Sequence, residues 1–137
     1  MVGASRYMLD TNIASYIIRG GNKVLQARLS LHPLSALCIS AITEAELLFG
    51  VARRPEAVVL KTAVSEFLRL VQVLPWDGVA AAAYGTLRAR LESQGTPLGN
   101  LDTLIAAHAI ACGCVLVSND KALARVPELR VEDWSVG

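Results

Sequence analysis

Acidic residues in this chain stand where apolar segments stop or start. Asp10 follows Tyr7-Met8-Leu9, Glu44 and Glu46 come soon after the apolar run Ala36–Ser40, Asp102 heads a long apolar stretch, and Asp120 follows Cys114-Val115-Leu116-Val117. A short apolar run ended by an acid and small polar residues reads as a buried strand that releases the acid at its exit. In open parallel α/β sheets the crevice beyond the carboxyl ends of the strands is where ligands bind. Carboxylates gathered there repel one another and raise each other's pKa unless a hard cation neutralises them. Mg²⁺ and Mn²⁺ prefer such oxygen ligands and commonly keep several waters, which leaves places for phosphate oxygens and a nucleophilic water. A cation so held can clamp phosphate, stabilise developing charge and lower the pKa of water, so the chemistry indicated is metal-assisted phosphodiester hydrolysis. Neither His nor Cys is required.

The elements that must position these acids follow from the apolar periodicity and the breakers. Thr11 to Arg19 is apolar at Ile13, Ala14, Ile17 and Ile18, a helical spacing with Thr11 or Asn12 as its cap, ended by Gly20-Gly21. Lys23 to Ser30 is a second helix, and Pro33 separates it from a strand over Ala36–Ser40. Strong helix formers run from Ala41 to Arg54, and beyond Pro55 from about Glu56 to Leu70, a helical hairpin. Val71–Leu74 is a short strand, and Asp77–Ser93 an alanine-rich helix stopped by Gly95 and Pro97. Leu98–Leu101 reads as a loop leading to Asp102, where a buried helix begins and runs to Gly113. Cys114–Val117 has the continuous apolar character of a central strand, and a short helix near Lys121–Arg125 and a last strand around Leu129–Val131 complete an α/β pattern.

Residues two apart on a helix point about 200° apart, so Glu44 and Glu46 cannot both face one site. A helical plot sets Glu46 beside Ile42 and Phe49 and Glu44 nearer Leu47 and Val51, which favours Glu46 as the member on the more apolar side. Each acid also has a plainer role to weigh. Asp102 taken alone would be a helix cap and Asp10 a turn residue, but their joint arrival at strand exits favours metal ligation. Asp77 reads as a helix cap, Glu92 as a partner for Arg88, and Glu44 as a solvated helix charge. His108 lies about 240° around the helix from Asp102, which makes it a core or interface histidine. His32 reads as loop.

At 137 residues and 53% hydrophobic, the chain fits one domain, 1–137, with a sizeable core. Charged residues interrupt every candidate membrane span, and no basic segment leads into a hydrophobic signal region, so a cytoplasmic protein is expected. The three cysteines, Cys38, Cys112 and Cys114, lie in apolar surroundings and suit reduced core thiols. A formal charge of +1 excludes a strongly basic nucleic-acid binder but not a local basic patch.

The motifs Met8-Leu9-Asp10-Thr11-Asn12, Ile39-Ser40 through Ala45-Glu46-Leu47-Leu48-Phe49-Gly50, Asp102-Thr103-Leu104-Ile105-Ala106-Ala107-His108-Ala109 and Val117-Ser118-Asn119-Asp120 resemble, in this order, the PIN-domain ribonucleases of the VapC toxin type. The resemblance covers almost the whole chain, down to Val126–Trp134. It implies a three-layer α/β/α sandwich with a central parallel sheet, Mg²⁺- or Mn²⁺-dependent endoribonuclease activity on structured RNA such as tRNA, and pairing with a VapB-like antitoxin whose peptide blocks the cleft. By that motif Asp10, Glu46, Asp102 and Asp120 are the catalytic, metal-holding quartet, with Asp10 and Asp102 most closely tied to the metal. The chain departs from the pattern at Leu123, where many relatives carry Phe, and retains at Asp120 an acid that others replace by Asn. Arg53-Arg54, Arg88 and Arg90 are the candidates for RNA phosphates, and the apolar helical faces suggest a homodimer. The alternatives are a PIN-like nucleic-acid-binding or regulatory module with little activity, against which retention of the four acids argues, and two Mg²⁺ acid-pocket folds. An aspartyl-phosphate phosphatase wants a second Asp where this chain has Asn12, and a receiver domain wants a late-strand Lys that is missing.

Overall fold

The computed structural model describes residues 5–137; the first four residues, on which the reading of the amino terminus partly rests, lie outside them. Five parallel strands, β1 (Tyr7–Leu9), β2 (Leu37–Ser40), β3 (Gln72–Leu74), β4 (Val115–Val117) and β5 (Val131–Glu132), form one sheet in the order β3-β2-β1-β4-β5. The chain builds outward from β1 on one side, then returns to lay β4 on the other. The order therefore reverses between β1 and β4, which makes their carboxyl ends the topological switch point. Leu9 pairs with Val117, and the Asp10 amide donates to the Val117 carbonyl at 3.0 Å, so the two strands stop level with each other.

Alternation along the strands feeds two cores. Met8, Cys38 and Leu116 point to the face covered by α5 (Gly78–Ser93) and α6 (Asn100–Cys112). Leu9, Ile39 and Val117 point to the face covered by α1 (Thr11–Arg19), α2 (Lys23–Leu29) and α4 (Val58–Leu70), where Trp134 is fully buried. α3 (Ala41–Ala52) packs with α1 and α4 through Ala14, Leu47 and Val64. The result is the expected α/β/α sandwich, with central strands apolar on both faces because helices cover both. No helix among the described residues is long and apolar enough to cross a membrane.

Several boundaries differ from the sequence reading, each for a local reason. Ala36 ends a single 3-10 turn rather than starting β2, and the last strand is Val131–Glu132, because Leu129 instead closes a turn onto the Val126 carbonyl. The second hairpin helix starts at Val58, past a bend in which the Ala57 amide bonds the Arg54 carbonyl. Cys38 and Cys114 are buried with their sulfurs 4.0 Å apart, whereas Cys112 is exposed at the end of α6 and is not a core thiol. Gly113 ends that helix in the left-handed region at φ +67°, and a side chain there would meet no atom within 4 Å. Gly113→Ala is therefore expected to cost only the backbone strain, about 1–2 kcal/mol in denaturant unfolding, and Gly113→Asn less.

Candidate active site

The sequence places an acid at each switch-point element, and the fold sets Asp10 and Asp120 as helix caps, Asp102 in a first helical turn and Glu46 by a neighbouring hydroxyl. Asp10 is only 4% exposed, and it is itself the cap of α1, its Oδ1 accepting from the Ile13 amide at 2.9 Å. Neither Thr11 nor Asn12 has that role. Asp120 lies three residues beyond the end of β4 at Val117 and caps the short helix α7 (Lys121–Ala124) with Oδ1 on the Ala122 amide at 2.8 Å, while its own amide donates to Ser118 Oγ at 3.0 Å. In both acids Oδ1 is fixed by a backbone amide, and the Ser118 side chain adds a second hydrogen bond to the Asp10 carboxylate.

Asp102 does not begin its helix. α6 starts at Asn100 behind Gly99, so Leu98–Leu101 is loop only over its first half, and Asp102 sits in the first turn without a capping bond. The unpaired amides of that turn and the helix dipole favour its negative charge. Glu46 is held from the side: Thr11 Oγ1 donates to Glu46 Oε1 at 2.7 Å and lies 3.1 Å from Thr43 Oγ1. The buried face of α3 runs through Thr43 and Leu47, whereas Phe49 is 64% exposed. The apolar side predicted to run through Ile42 and Phe49 is thus not the inward one. Glu46 nevertheless flanks the buried face on the α1 side, about 60° from Thr43, and Glu44 stands about 100° away on the other.

The charges report on each other. Burial pushes the Asp10 carboxyl above its ordinary range, the Ser118 side chain and the Ile13 amide pull it back, and Asp102 and Asp120 push it further up. Asp102 is raised by burial, then by Asp120 and Glu46. Asp102 is thus within electrostatic reach of the other three predicted acids, and none of the ion pairs formed among the described residues involves any of the four. Among those residues no three acidic, His or Cys groups are close enough to enclose a metal ion unaided. The donor set is nonetheless all oxygen, the ligand type that Mg²⁺ and Mn²⁺ prefer.

A PIN domain model matches residues 7–129. The chain is 39% identical over 131 residues to the tRNA(fMet)-specific endonuclease VapC of Salmonella typhimurium, which covers 94% of this chain and 98% of the relative. The chain belongs to the PIN-domain family, in its VapC branch. Ribonuclease VapC2 of Rickettsia felis is 36% identical over 93% of this chain and 97% of its own. Among solved structures, DNA-bound VapBC from Salmonella typhimurium superposes with a TM-score of 0.88 at 36% identity, covering 96% of this chain and 99% of that one. VapBC2 from Rickettsia felis bound to a promoter DNA fragment gives 0.84 at 34% identity, over 92% and 96% of the two chains.

Seen as a PIN domain, the site includes residues that acid spacing alone did not single out. Thr11 holds Glu46, Ser118 supports Asp10, and Ser40 caps α3 while its Oγ lies 2.7 Å from Nδ1 of the fully buried His108. The signal for the last pair was available: a histidine inside a wholly apolar helix must find a polar partner. The arginines sort differently from expectation. Arg88 bonds Glu92 at 2.7 Å and Tyr84 at 2.8 Å, Arg90 pairs with Glu128, and Arg54 stands 3.9 Å from Glu56, which leaves Arg53 as the member of the predicted set without an ion pair among the described residues.

Proposed function

We propose that this chain is a Mg²⁺- or Mn²⁺-dependent endoribonuclease that cuts tRNA or other structured RNA and is restrained by a VapB-like antitoxin. The observation that carries the reading is that Asp10 and Asp102, at the β1/β4 switch point and at the head of α6, are disfavoured as charged groups by burial and by the neighbouring acids Asp120 and Glu46, with no ion pair among the described residues to relieve them. The relatives' names as tRNA(fMet)-specific endonuclease and ribonuclease support it.

Asp10 and Asp102 would hold the metal, with Glu46 and Asp120 completing the set. A bound cation would supply charge stabilisation at the scissile phosphate and an acidified water. The chain's own residues supply orientation: the Ile13 and Ala122 amides and the Thr11 hydroxyl each fix one oxygen of an acid. Oε2 of Glu46, free of Thr11, is the acceptor we assign to the proton of the attacking water. An antitoxin peptide would compete by placing a guanidinium among the same acids. A homodimer would cover the apolar face of α5 and α6 around Val79, Ala82 and Ile110.

The test is incubation of purified protein with total tRNA and with single-stranded DNA in Mg²⁺, Mn²⁺ or EDTA. RNA cleavage restored by either metal and abolished by EDTA is expected. Glu46→Gln should slow it about 10–100-fold and Glu44→Gln less than twofold, following the usual effect of a residue that orients a metal site. RNA surviving intact in both metals would sink the nuclease reading; equal effects at the two glutamates would sink the assignment of Glu46.

A further inference from the structure

Beside Glu46 lies a cleft of about 390 Å³ between α1, α3 and α4. Its inner wall is Thr11 and Glu46, its floor includes Ile18 and Leu47, and its rim carries Arg19, Phe49 and Arg53. Phe49 is 64% exposed, and the Arg53 guanidinium carbon lies 5.6 Å from its ring centroid. Arg19 stands 5.4 Å from the Tyr16 ring and gives its Nε to the Ser15 carbonyl at 3.4 Å, leaving its terminal nitrogens unused. Arg28, Arg54, Arg69, Arg88 and Arg90 all meet carboxylates, whereas neither Arg19 nor Arg53 does so among the described residues.

We propose that this cleft is a nucleotide subsite for the RNA strand entering the acid cluster, in which one unpaired base stacks on Phe49 and the adjoining phosphate is held by Arg53 and Arg19. The inference rests on the nuclease reading and adds where the strand beside the scissile bond is gripped. Single-stranded RNA is recognised by bases splayed onto aromatic rings or guanidinium planes, and an Arg over a Phe offers both surfaces. Two unneutralised guanidinium groups next to a carboxylate cluster also match a phosphodiester strand, whose anionic oxygens satisfy the arginines while a cation joins them to the acids. An uncharged peptide segment, by contrast, would leave both guanidinium groups without an anion.

The test uses the intact protein and its Phe49→Ala, Phe49→Trp and Arg53→Ala variants. Two hydrolysis readouts are compared: a single-stranded RNA oligonucleotide, and bis(p-nitrophenyl) phosphate, which is too small to reach the cleft. Phe49→Ala should lower kcat/KM on RNA roughly tenfold, leave the small diester unchanged and be rescued by Phe49→Trp. An RNA made abasic at each position in turn should show one position where loss of the base harms the parent and not Phe49→Ala. Arg53→Ala should reduce the salt slope of RNA binding by about one. RNA anisotropy in EDTA reads the same stacking loss without turnover, so a protein that hydrolyses neither substrate defeats the nuclease reading while binding still decides the subsite. Equal RNA binding and cleavage by the parent and Phe49→Ala overturns the proposal. So does a loss that extends to the small diester, a change in oligomeric mass on Phe49→Ala, or an effect confined to release of a bound antitoxin.

Discussion

Asp10→Asn is expected to abolish RNA cleavage, with kcat/KM falling at least about a hundredfold, while the folded protein becomes no less stable. The two outcomes separate because the carboxylate has two roles. As the cap of α1 it needs only an oxygen for the Ile13 amide, and Asn caps a helix as well as Asp does. As the proposed metal ligand it would need its charge, and burial together with Asp102 and Asp120 sets that charge against folding. The folded carboxyl titrates above its ordinary 3.8, so the native state binds more protons than the unfolded chain just above that pH, and stability falls as pH rises through the window. Removing the charge removes that cost at neutral pH, and the advantage of Asp10→Asn should vanish below about pH 3.8, where the parent is protonated too. Added Mg²⁺ or Mn²⁺ should raise the parent's Tm in proportion to the logarithm of its concentration and leave Asp10→Asn nearly unmoved. Asp10→Ala, which also deletes the cap, should lose about 1 kcal/mol relative to Asp10→Asn in the same melts. Thermal melts beside RNA assays check all of this, and an Asp10→Asn protein that still cuts RNA at the parent rate would remove Asp10 from the site.

The sheet edge was legible because the strands there are short apolar runs stopped by an acid. Met8-Leu9-Asp10 and Leu116-Val117-Ser118 carry their own boundaries, and parallel pairing then forces the exits level. What stayed hidden depends on tertiary partners. Asp102 reads as the start of a helix because Asp is a good cap, yet Gly99 and Asn100 turn the chain first, and no propensity rule distinguishes a cap from a first-turn acid. The inward side of α3 was misjudged because Phe49 looks like core by composition, while its exposure follows from what α1 and α4 leave uncovered. Glu46 is preferred to Glu44 from that side of the helix and from the family motif, and what the fold adds is the Thr11 hydroxyl, supplied by another helix, which bonds Glu46. The arginines were ambiguous for the same reason: only the fold shows that Arg88 and Arg90 are already neutralised and that Arg53 sits over a ring.

His108→Ala is expected to cost about 3 kcal/mol of stability and to slow RNA cleavage about tenfold without touching an acid. The imidazole is fully buried on α6, and its Nδ1 lies 2.7 Å from Oγ of Ser40, the residue that ends β2 and caps α3. That one contact ties the helix carrying Asp102 to the start of the helix carrying Glu46. Truncation leaves a cavity and deprives Ser40 of a partner, so the two helices lose a shared reference. The same side chain fixes an acid limit. Burial holds the imidazole below its ordinary 6.5, with Asp77 and the Pro75 carbonyl pulling weakly the other way. As pH falls through 6.5 the unfolded chain takes up this proton before the native state does, so the contribution is complete above 6.5 and is lost progressively below it. Nε2 makes no well-formed hydrogen bond among the described residues, so the Pro75 carbonyl and Asp77 offset only part of the cost of burying a charged ring. Urea unfolding of the parent at pH 7 and pH 5 should show this loss, and His108→Asn, which keeps a polar contact to Ser40 but cannot titrate, should show less of it. If His108→Asn matched the parent's pH dependence, the acid limit would belong to other groups; if His108→Ala cleaved RNA at full rate, the link between the two helices would not set the site.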